Sequence, residues 1–596
     1  MHSWKPSSKH LLCPPTLSFT SYTHSIIPVG ACEMASPITL PPLLLDRVLE
    51  GRQIASPSSI LFTIPPEILH LIIGHVASHK SDLASLALVN STCRQLARSY
   101  QFSNLHLDYG SAALEILAML QKEAVQRYRS SDRMTVSPAL GVCVRRLRVD
   151  ANKFEPRLMS LLPPDFEQEG EEIKRLRRIE ATMSESLNHL YWPTALLIIP
   201  TIPNLQSLQL SRCTLKDDLL DILIQLPIKN LELSGDFPRM PNLQARRDLR
   251  PLGTLETLCI ETNWSLDDFT FNKLVDNDSI RLDPSAFYKT LLASCCSNLR
   301  RLEISHRRYD FLGKVDWVQE PPLSFYMKFP KLKTLNIGRM TVLDPRTLTC
   351  LVPEGLTSLN IPYNDTSQFL PDIGQICTLD TVLLHCTKAT GSTPTRFIET
   401  STQIRLLALF WAKDAFVRRV VQSAHRHGNL NSLSVRWAEN DISEESLEKL
   451  SLLSSIEILH LSAGHPGGWT HNWFVDHNKV KRYLGRLPQL RRLIITRDNY
   501  LHDSEIGNIV DPERIYELCK PGSALWAEHE TRMLEHALTY VHTLPMLEFL
   551  LIGQVIFTVK EIDGHREPFV TGSAWVGERE YDIVVEEFKI YDRVML

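Results

Sequence analysis

The chain has 596 residues, of which 43% are hydrophobic and 22% charged, and its formal net charge at pH 7 is −4. This length can bury a large core, and the near-neutral charge excludes a polycation that binds nucleic acid through phosphate contacts. The sequence has no apolar run of about 18 residues, so we expect no membrane span.

Residues 1–32 contain no acidic residue and are rich in Ser, Thr, Pro and His. Their first apolar run is broken at once by prolines, unlike a secretory signal, and the first arginine, Arg47, comes too late for a mitochondrial presequence. We expect disorder over residues 1–61, with Met34 as an alternative functional start.

Residues 62–108 read as three short helices. Pro65 and Pro66 suit the first turn of a helix, where a missing N–H costs nothing, and Glu67 suits its positive end. An apolar stripe at helical spacing follows, and then two further helical segments. So small a unit has more apolar side chains than it can bury, which predicts a partner.

This segment resembles the F-box, whose pattern is L-P-x-E-[IL]-L-x-x-I, then D-L-x-x-[LA]-x-x-V-[CN]-[RKS] and a third helix. The matching residues are Ile64, Pro65, Glu67, Ile68, Leu69, Ile72, Asp82, Leu83, Leu86, Val89 and Asn90. Cys93 stands where the family commonly has Trp. The resemblance implies docking on Skp1 through Ile64, Pro65, Glu67, Ile68, Leu69, Ile72, Leu83, Leu86 and Val89. An unrelated three-helix unit is the alternative.

Residues 109–200 are predicted to form a helical linker and a first irregular coil. Residues 112–128 read as an amphipathic helix and residues 142–149 as a strand. The basic run K-R-L-R-R at 174–178 is either a solvated helix face or a nuclear localisation signal.

From residue 201 to residue 553 an L-x-x-L-x-L core recurs. Residues 204–215 read N-L-Q-S-L-Q-L-S-R-C-T-L, which matches the leucine-rich-repeat template L-x-x-L-x-L-x-x-[N/C]-x-L. Twelve copies have their second apolar position at Leu208, Leu231, Leu258, Leu302, Leu335, Leu359, Val382, Leu407, Leu433, Leu459, Leu493 and Leu550. A weaker thirteenth copy is centred on Leu147.

The repeat predicts an α/β solenoid in which each unit adds one strand to a parallel sheet and returns by a helix or an irregular arm. Template positions four and six then face the core, and positions three, five and seven face the concave side. The alternative is an all-α protein with amphipathic helices. Most later copies lack the Asn or Cys of the template, so we expect those coils to close irregularly.

Three long insertions interrupt the repeat, at 306–330, 464–484 and 496–545, the last with a predicted helix at 524–542. They are either ligand-binding loops or lids over coil ends. Residues 554–596 contain short strand-like runs and are predicted to cap the last coil.

No P-loop, G-x-S-x-G or H-E-x-x-H motif occurs. His529 and His536 lie seven residues apart, which is poor spacing for a metal site, and the run 425–427 (H-R-H) reads as a helix end. We therefore expect no catalysis, no metal and no cofactor. The twelve cysteines form no C-x-x-C pair or regular framework, which favours reduced thiols in a cytoplasmic or nuclear protein.

The outward strand positions are polar in the early coils and become apolar and aromatic in the later ones. An exposed apolar patch usually marks an interaction surface. We therefore predict substrate docking at Phe410, Trp411, Arg436, Trp437 and His460. Phe410 and Trp437 would be anchors, and Arg436 would pair with an acidic or phosphorylated group. The alternative is that loops or the cap cover this patch.

From about residue 62 onward the chain resembles F-box proteins with leucine-rich repeats of the divergent fungal type. The resemblance implies an adaptor that docks on Skp1, and through it on a cullin–RING ubiquitin ligase, while the solenoid holds an unknown protein substrate. The ubiquitin chemistry would belong to the partners. The alternatives are a scaffold bound to Skp1 outside any ligase and a general protein-binding solenoid.

Overall fold

The computed structural model describes residues 45–49, 54, 60–77, 79–129, 139–150, 190–214, 217–236, 250–263, 285–306, 328–337, 352–361, 376, 378–386, 393–464, 473, 475–496, 524–553 and 555–573. The basic run 174–178, most of the predicted disordered segment, parts of the three insertions and the strand-like runs after residue 573 lie outside these residues. No helix of the described part is long and apolar enough to cross a membrane.

The described strands form one sixteen-stranded sheet in chain order, parallel from β1 to β14 and antiparallel for the last two strands. The strands are β1 Asn104–Leu107, β2 Arg146–Asp150, β3 Ser207–Thr214, β4 Asn230–Asp236, β5 Thr257–Asn263, β6 Arg301–His306, β7 Thr334–Ile337, β8 Ser358–Ile361, β9 Thr381–His385, β10 Leu406–Ala412, β11 Ser432–Trp437, β12 Ile458–Ser462, β13 Arg492–Ile495, β14 Phe549–Ile552, β15 Val555–Ile562 and β16 His565–Ser573.

Five of the described helices precede the sheet, and the others lie in the return arms between strands. The helices are α1 Leu45–Leu49, α2 Ile60–Thr63, α3 Pro66–Val76, α4 Lys80–Val89, α5 Ser91–Gln101, α6 Ser111–Arg129, α7 Asp217–Leu223, α8 Ser285–Cys295, α9 Thr393–Thr400, α10 Asp414–His427, α11 Glu444–Leu450, α12 His477–Leu484 and α13 Ala524–Thr543. Residues 190–198 are also helical.

Equivalent template positions lie side by side in neighbouring strands. Leu147 pairs with Leu208, Leu208 pairs with Leu231, and the same row continues coil by coil to Leu550. Every member of this row is at most 2% exposed. The twelve predicted copies and the thirteenth are therefore confirmed as consecutive strands. The chain is an α/β protein whose long parallel sheet resembles a leucine-rich-repeat solenoid.

Backbone hydrogen bonds join each coil to the next at the residue before the strand. The carbonyl of Gln206 accepts the N–H groups of Lys229 and Asn230 at 2.8 and 3.0 Å, and this pair of bonds recurs as far as the carbonyl of Arg491. Because the bonds use no side chain, coils that lack the template Asn stay in register. In the described part of the chain, the return arms before β10, β11, β12 and β13 contain the helices α9 to α12. The turn after β10 is irregular, as expected for the later coils, with a register shift between Leu409 and Ala412.

The sheet begins earlier than the predicted solenoid boundary at residue 201. Strand β1 lies inside the segment predicted as an F-box, and β2 lies inside the predicted linker. Helix α1 also differs from the prediction, because disorder was expected over residues 1–61. Its Val48 and Leu49 are buried, so this short helix packs against the rest of the chain.

The C-terminal end of the sheet is a hairpin formed by β15 and β16. Its two-residue turn consists of Asp563 and Gly564, both with positive φ, as a tight turn between twisted antiparallel strands requires. Among the described residues, this antiparallel pairing follows the last parallel strand. The cap over residues 554–596 stays a prediction.

Candidate docking surfaces

The helices α2 to α5 form a small helical unit with its own core. Helix α3 begins as predicted, with Pro65 at the N-cap and Pro66 in the first turn. The buried core residues are Leu69, Ile73, Leu83, Leu96 and Ala97. Leu69 and Leu83, predicted as Skp1 contacts, therefore lie inside the unit and stabilise it.

The opposite face of α3 is apolar and exposed. Ile68, Leu71 and Ile72 are 48, 62 and 40% exposed, and they occupy the i, i+3, i+4 positions of one helix face. Leu88 and Val89 at the end of α4 are 80 and 66% exposed. Side chains of this size are usually exposed singly on a surface, so these five on one small unit are candidate docking residues.

The remaining predicted Skp1-contact residues divide by exposure. Pro65 and Glu67 are exposed, whereas Ile64 and Leu86 are half-buried against the core of the unit. Leu71 and Leu88 were not predicted. Leu71 lies three residues after Ile68, and this helical spacing could have indicated its exposure on the same side of α3. It was missed because Leu71 does not occupy a position of the F-box motif.

Helix α5 is shared between the helical unit and the first coil. Gln95 is buried, and its Nε2 atom donates to the carbonyls of Val48 and Ala139 at 3.3 and 2.9 Å and approaches Cys143 Sγ at 3.3 Å. The chain then enters β1 after only two residues. The helical unit is thus joined to the sheet through buried contacts.

The later coils do not present the exposed patch expected of them. Phe410, Arg436 and His460 face the concave side but are at most 4% exposed. The prediction that Trp437 is an exposed anchor is also wrong, because Trp437 lies in the main core beside the apolar strand residues. It follows Arg436 directly, and consecutive strand residues point to opposite faces. The expected exposure of Phe410, Arg436, Trp437 and His460 is therefore wrong.

A second apolar core lies on the concave side of these coils. Its buried members are Leu383, Ala408, Phe410, Ile494, Leu551 and Ile556. Polar groups beside it are hydrogen-bonded: Ser434 Oγ lies 2.8 Å from His460 Nδ1, and His460 Nε2 lies 2.8 Å from Thr496 Oγ1. His460 therefore has a partner for each ring nitrogen inside the protein.

Trp411 is the predicted site residue that keeps partial exposure. Its backbone has φ 57°, a left-handed conformation that is strained for a bulky residue, at a register shift between Leu409 and Ala412. The guanidinium carbon of Arg436 lies 4.0 Å from the centroid of the Trp411 ring. This cation–π contact holds both side chains against the second core.

The concave side of the early coils is polar and more open. The half-buried outward residues of β3 to β6 are Gln209, Ser211, Glu232, Ser234, Thr257, Glu261, Arg301 and Ser305. Among the described residues, Arg301 Nη2 of β6 lies 2.6 Å from Glu303 Oε1, and on the neighbouring strand β2 Arg148 Nε lies 3.3 Å from Asp150 Oδ1.

The two histidines considered as metal ligands have other contacts. His529 Nε2 lies 2.5 Å from the carbonyl oxygen of Gly553, and His536 stacks on His477 with a ring-centroid distance of 4.1 Å. The run 425–427 ends α10, and Gly428 follows with φ 69°, as a helix C-terminus favours.

No protein-family model and no curated protein matches the chain. Among solved structures, the chain is similar to a leucine-rich-repeat protein of Leptospira interrogans, with 13% identity over 51% of this chain and 80% of that protein and a TM-score of 0.22. The assignment of the fold rests on the strand register and the core given above.

Proposed function

We propose that this protein is the substrate-recognition adaptor of an SCF-type ubiquitin ligase. The helical unit docks on Skp1, which links it to a cullin–RING ligase, and the solenoid binds a protein substrate. The chain itself carries out no chemistry in this role. The observation that carries the proposal is the exposure of five large apolar side chains, Ile68, Leu71, Ile72, Leu88 and Val89, in a segment whose sequence resembles the F-box.

The buried junction supports a linking role. Gln95 holds the helical unit against the first coil, so a protein docked on α3 and one docked on the sheet would be held at a fixed separation. A flexible tether would let that separation vary.

The test is capture of purified Skp1 by the full chain carrying Ile68→Lys and Ile72→Lys. Both side chains are exposed, so folding should be retained, while two charges facing an apolar partner should reduce capture by at least about thirtyfold. Met119→Lys on α6 is the matched control, since Met119 is 46% exposed on another helix. Equal capture by the double variant and the control would remove the proposal.

Capture from cell extract then separates the ligase from a scaffold. Recovery of both Skp1 and a cullin with the wild-type chain, lost together in the double variant, supports a ligase adaptor. Skp1 without any cullin supports the scaffold outside a ligase.

A further inference from the structure

Helix α5 is buried on two sides. Leu96 and Ala97 pack into the core of the helical unit. Thr92, Gln95 and Ser99 are at most 6% exposed and occupy the i, i+3 and i+7 positions of an adjacent side. Gln95, in the middle of this second side, bonds to residues outside the helical unit. The second side of α5 is therefore covered by other parts of the chain.

One of these parts is the short helix α1, which packs on α5. Its Val48 and Leu49 are 0 and 5% exposed although the helix has only five residues. Gln95 Nε2 donates to the carbonyl of Val48 at 3.3 Å. This carbonyl lies in the last turn of α1, where backbone carbonyls have no partner within the helix. Gln95 thus caps the C-terminal end of α1.

The same nitrogen atom of Gln95 also joins α1 to the first coil. It donates to the carbonyl of Ala139 at 2.9 Å and lies 3.3 Å from Cys143 Sγ. Because the carbonyls of Val48 and Ala139 both lie within hydrogen-bond distance of one nitrogen, the last turn of α1 adjoins the coil. Helix α1 therefore lies where α5 meets the coil that follows β1.

This part of the coil is itself held by its neighbours. The N–H groups of Leu140 and Gly141 donate to the Glu123 carboxylate of α6 at 2.6 and 3.0 Å. The carbonyl of Val142 accepts from Asn204 Nδ2 at 2.8 Å, three residues before β3 begins. The seat of α1 is thus rigidly connected to the first strands of the sheet.

Helix α1 is too short to be stable by itself. Isolated helices of fewer than about 12–15 residues are marginal in water, so these five residues are helical only while they are seated. Burial of Val48 and Leu49 and the cap from Gln95 stabilise the seated state. Helix α1 therefore has two states, seated and helical, or detached without this helix.

We infer that residues 45–49 are a strap that fixes the orientation of the helical unit relative to the sheet. With the strap seated, α5 is held on its second side, and the exposed residues of α3 face one direction. With the strap detached, α5 loses part of this cover, and the helical unit turns about residues 102–103, which connect α5 to β1. This inference goes beyond the proposed function and does not depend on Skp1.

The test measures distances in the full-length chain by pulsed electron paramagnetic resonance. Spin-labelled amino acids are incorporated at Ser85 on α4 and at Gln225 between α7 and β4, both of which are exposed. We expect one narrow distance distribution for the wild-type strap. Val48→Asp places a charge in the seat, so the distribution should broaden, and the amides of residues 139–143 should exchange hydrogen about tenfold faster or more.

The matched control is Arg47→Gln, which changes the exposed neighbour of Val48 on the same helix and should leave the distribution narrow. Two shortened chains repeat the comparison without a new charge. A chain that begins at Met34 keeps the strap and should behave as wild type. A chain that begins at Arg52 lacks the strap and should behave as Val48→Asp.

A narrow distribution in both Val48→Asp and the chain from Arg52 would overturn the inference, as would equal broadening in Arg47→Gln. Loss of the strand signal in circular dichroism for both would also overturn it, because α1 would then be needed for the fold itself. Capture of Skp1 is measured separately and should be unchanged in Val48→Asp, since α1 is not part of the exposed side of α3. Absent capture by every variant, with distances that respond to the strap, would remove the proposed function alone.

Discussion

Leu359 gives the sharpest test of the strand register. It lies in β8, 1% exposed, between Leu335 of β7 and Val382 of β9. Leu359→Ala removes three carbons, a transfer loss of about 2.4 kcal/mol at about 0.8 kcal/mol per carbon. Coils on both sides limit collapse of the cavity, so the total loss in free energy of unfolding should be about 3–5 kcal/mol.

Urea unfolding followed by far-UV circular dichroism measures this loss. With a slope of about 3 kcal/mol per M, the midpoint should fall by about 1 M or more, and Leu359→Asp should lower it further because the core would hold an unpaired charge. The matched control is Ser358→Ala, whose half-buried side chain faces the concave side, with a change of at most about 0.5 kcal/mol. An unaltered midpoint for Leu359→Ala, or an equal shift for Ser358→Ala, would show that Leu359 does not face inward.

Three further outcomes are expected. Phe410→Ala should lower the free energy of unfolding by about 3–5 kcal/mol in the same assay, because its ring is buried. An unchanged free energy of unfolding would show that the ring is exposed. Gln95→Ala should cost about 1–3 kcal/mol and raise hydrogen exchange in residues 139–143, since the Ala139 carbonyl loses its donor; unchanged exchange would contradict the junction. Burial raises the pKa of Asp150, but the hydrogen bond from His106 and the charge of Arg148 outweigh it, so the net pKa is lowered. Stability from this carboxylate should be present above the ordinary Asp pKa of about 4 and lost as pH falls through the lower folded value. Asp150→Asn should therefore destabilise at pH 7 and converge with wild type in acid, and a difference independent of pH would contradict the pairing.

The repeat could be predicted because its signal is periodic and redundant. Each copy fixes three apolar positions, and an error in one copy leaves the others in phase. Strand β1 was missed although Phe102, Leu105 and Leu107 fit the same core, with Phe in the first position. These residues had been assigned to the helical motif that directly precedes β1. A sequence match assigned to one unit thus concealed the start of the next.

The site residues were harder to predict, because exposure depends on what covers a surface. The pattern of α3 gave an apolar stripe but not its division into a buried half with Leu69 and an exposed half with Ile68 and Ile72. Trp437 could have been placed correctly, since alternation along β11 puts it on the same side as Leu433 and Val435. The hydrogen bonds of His460 reach Ser434 and Thr496 on either side in the sheet, and no local sequence pattern indicates them.

The composition of the strands explains why the concave face of the later coils is covered within the chain. Strand β3 begins S-L-Q-L-S, alternating as a strand with one buried face does, whereas β10 reads L-L-A-L-F-W-A, the continuous apolar run of a parallel strand buried on both faces. Covering a large apolar side chain contributes about 1.5–3 kcal/mol, so the four large residues Leu383, Phe410, Ile494 and Leu551 together provide about 6–12 kcal/mol for a second layer. This free energy already stabilises the packing of the second core within the chain. On the helical unit, Ile68, Leu71, Ile72, Leu88 and Val89 remain exposed, so the same gain is available there only when another protein covers them.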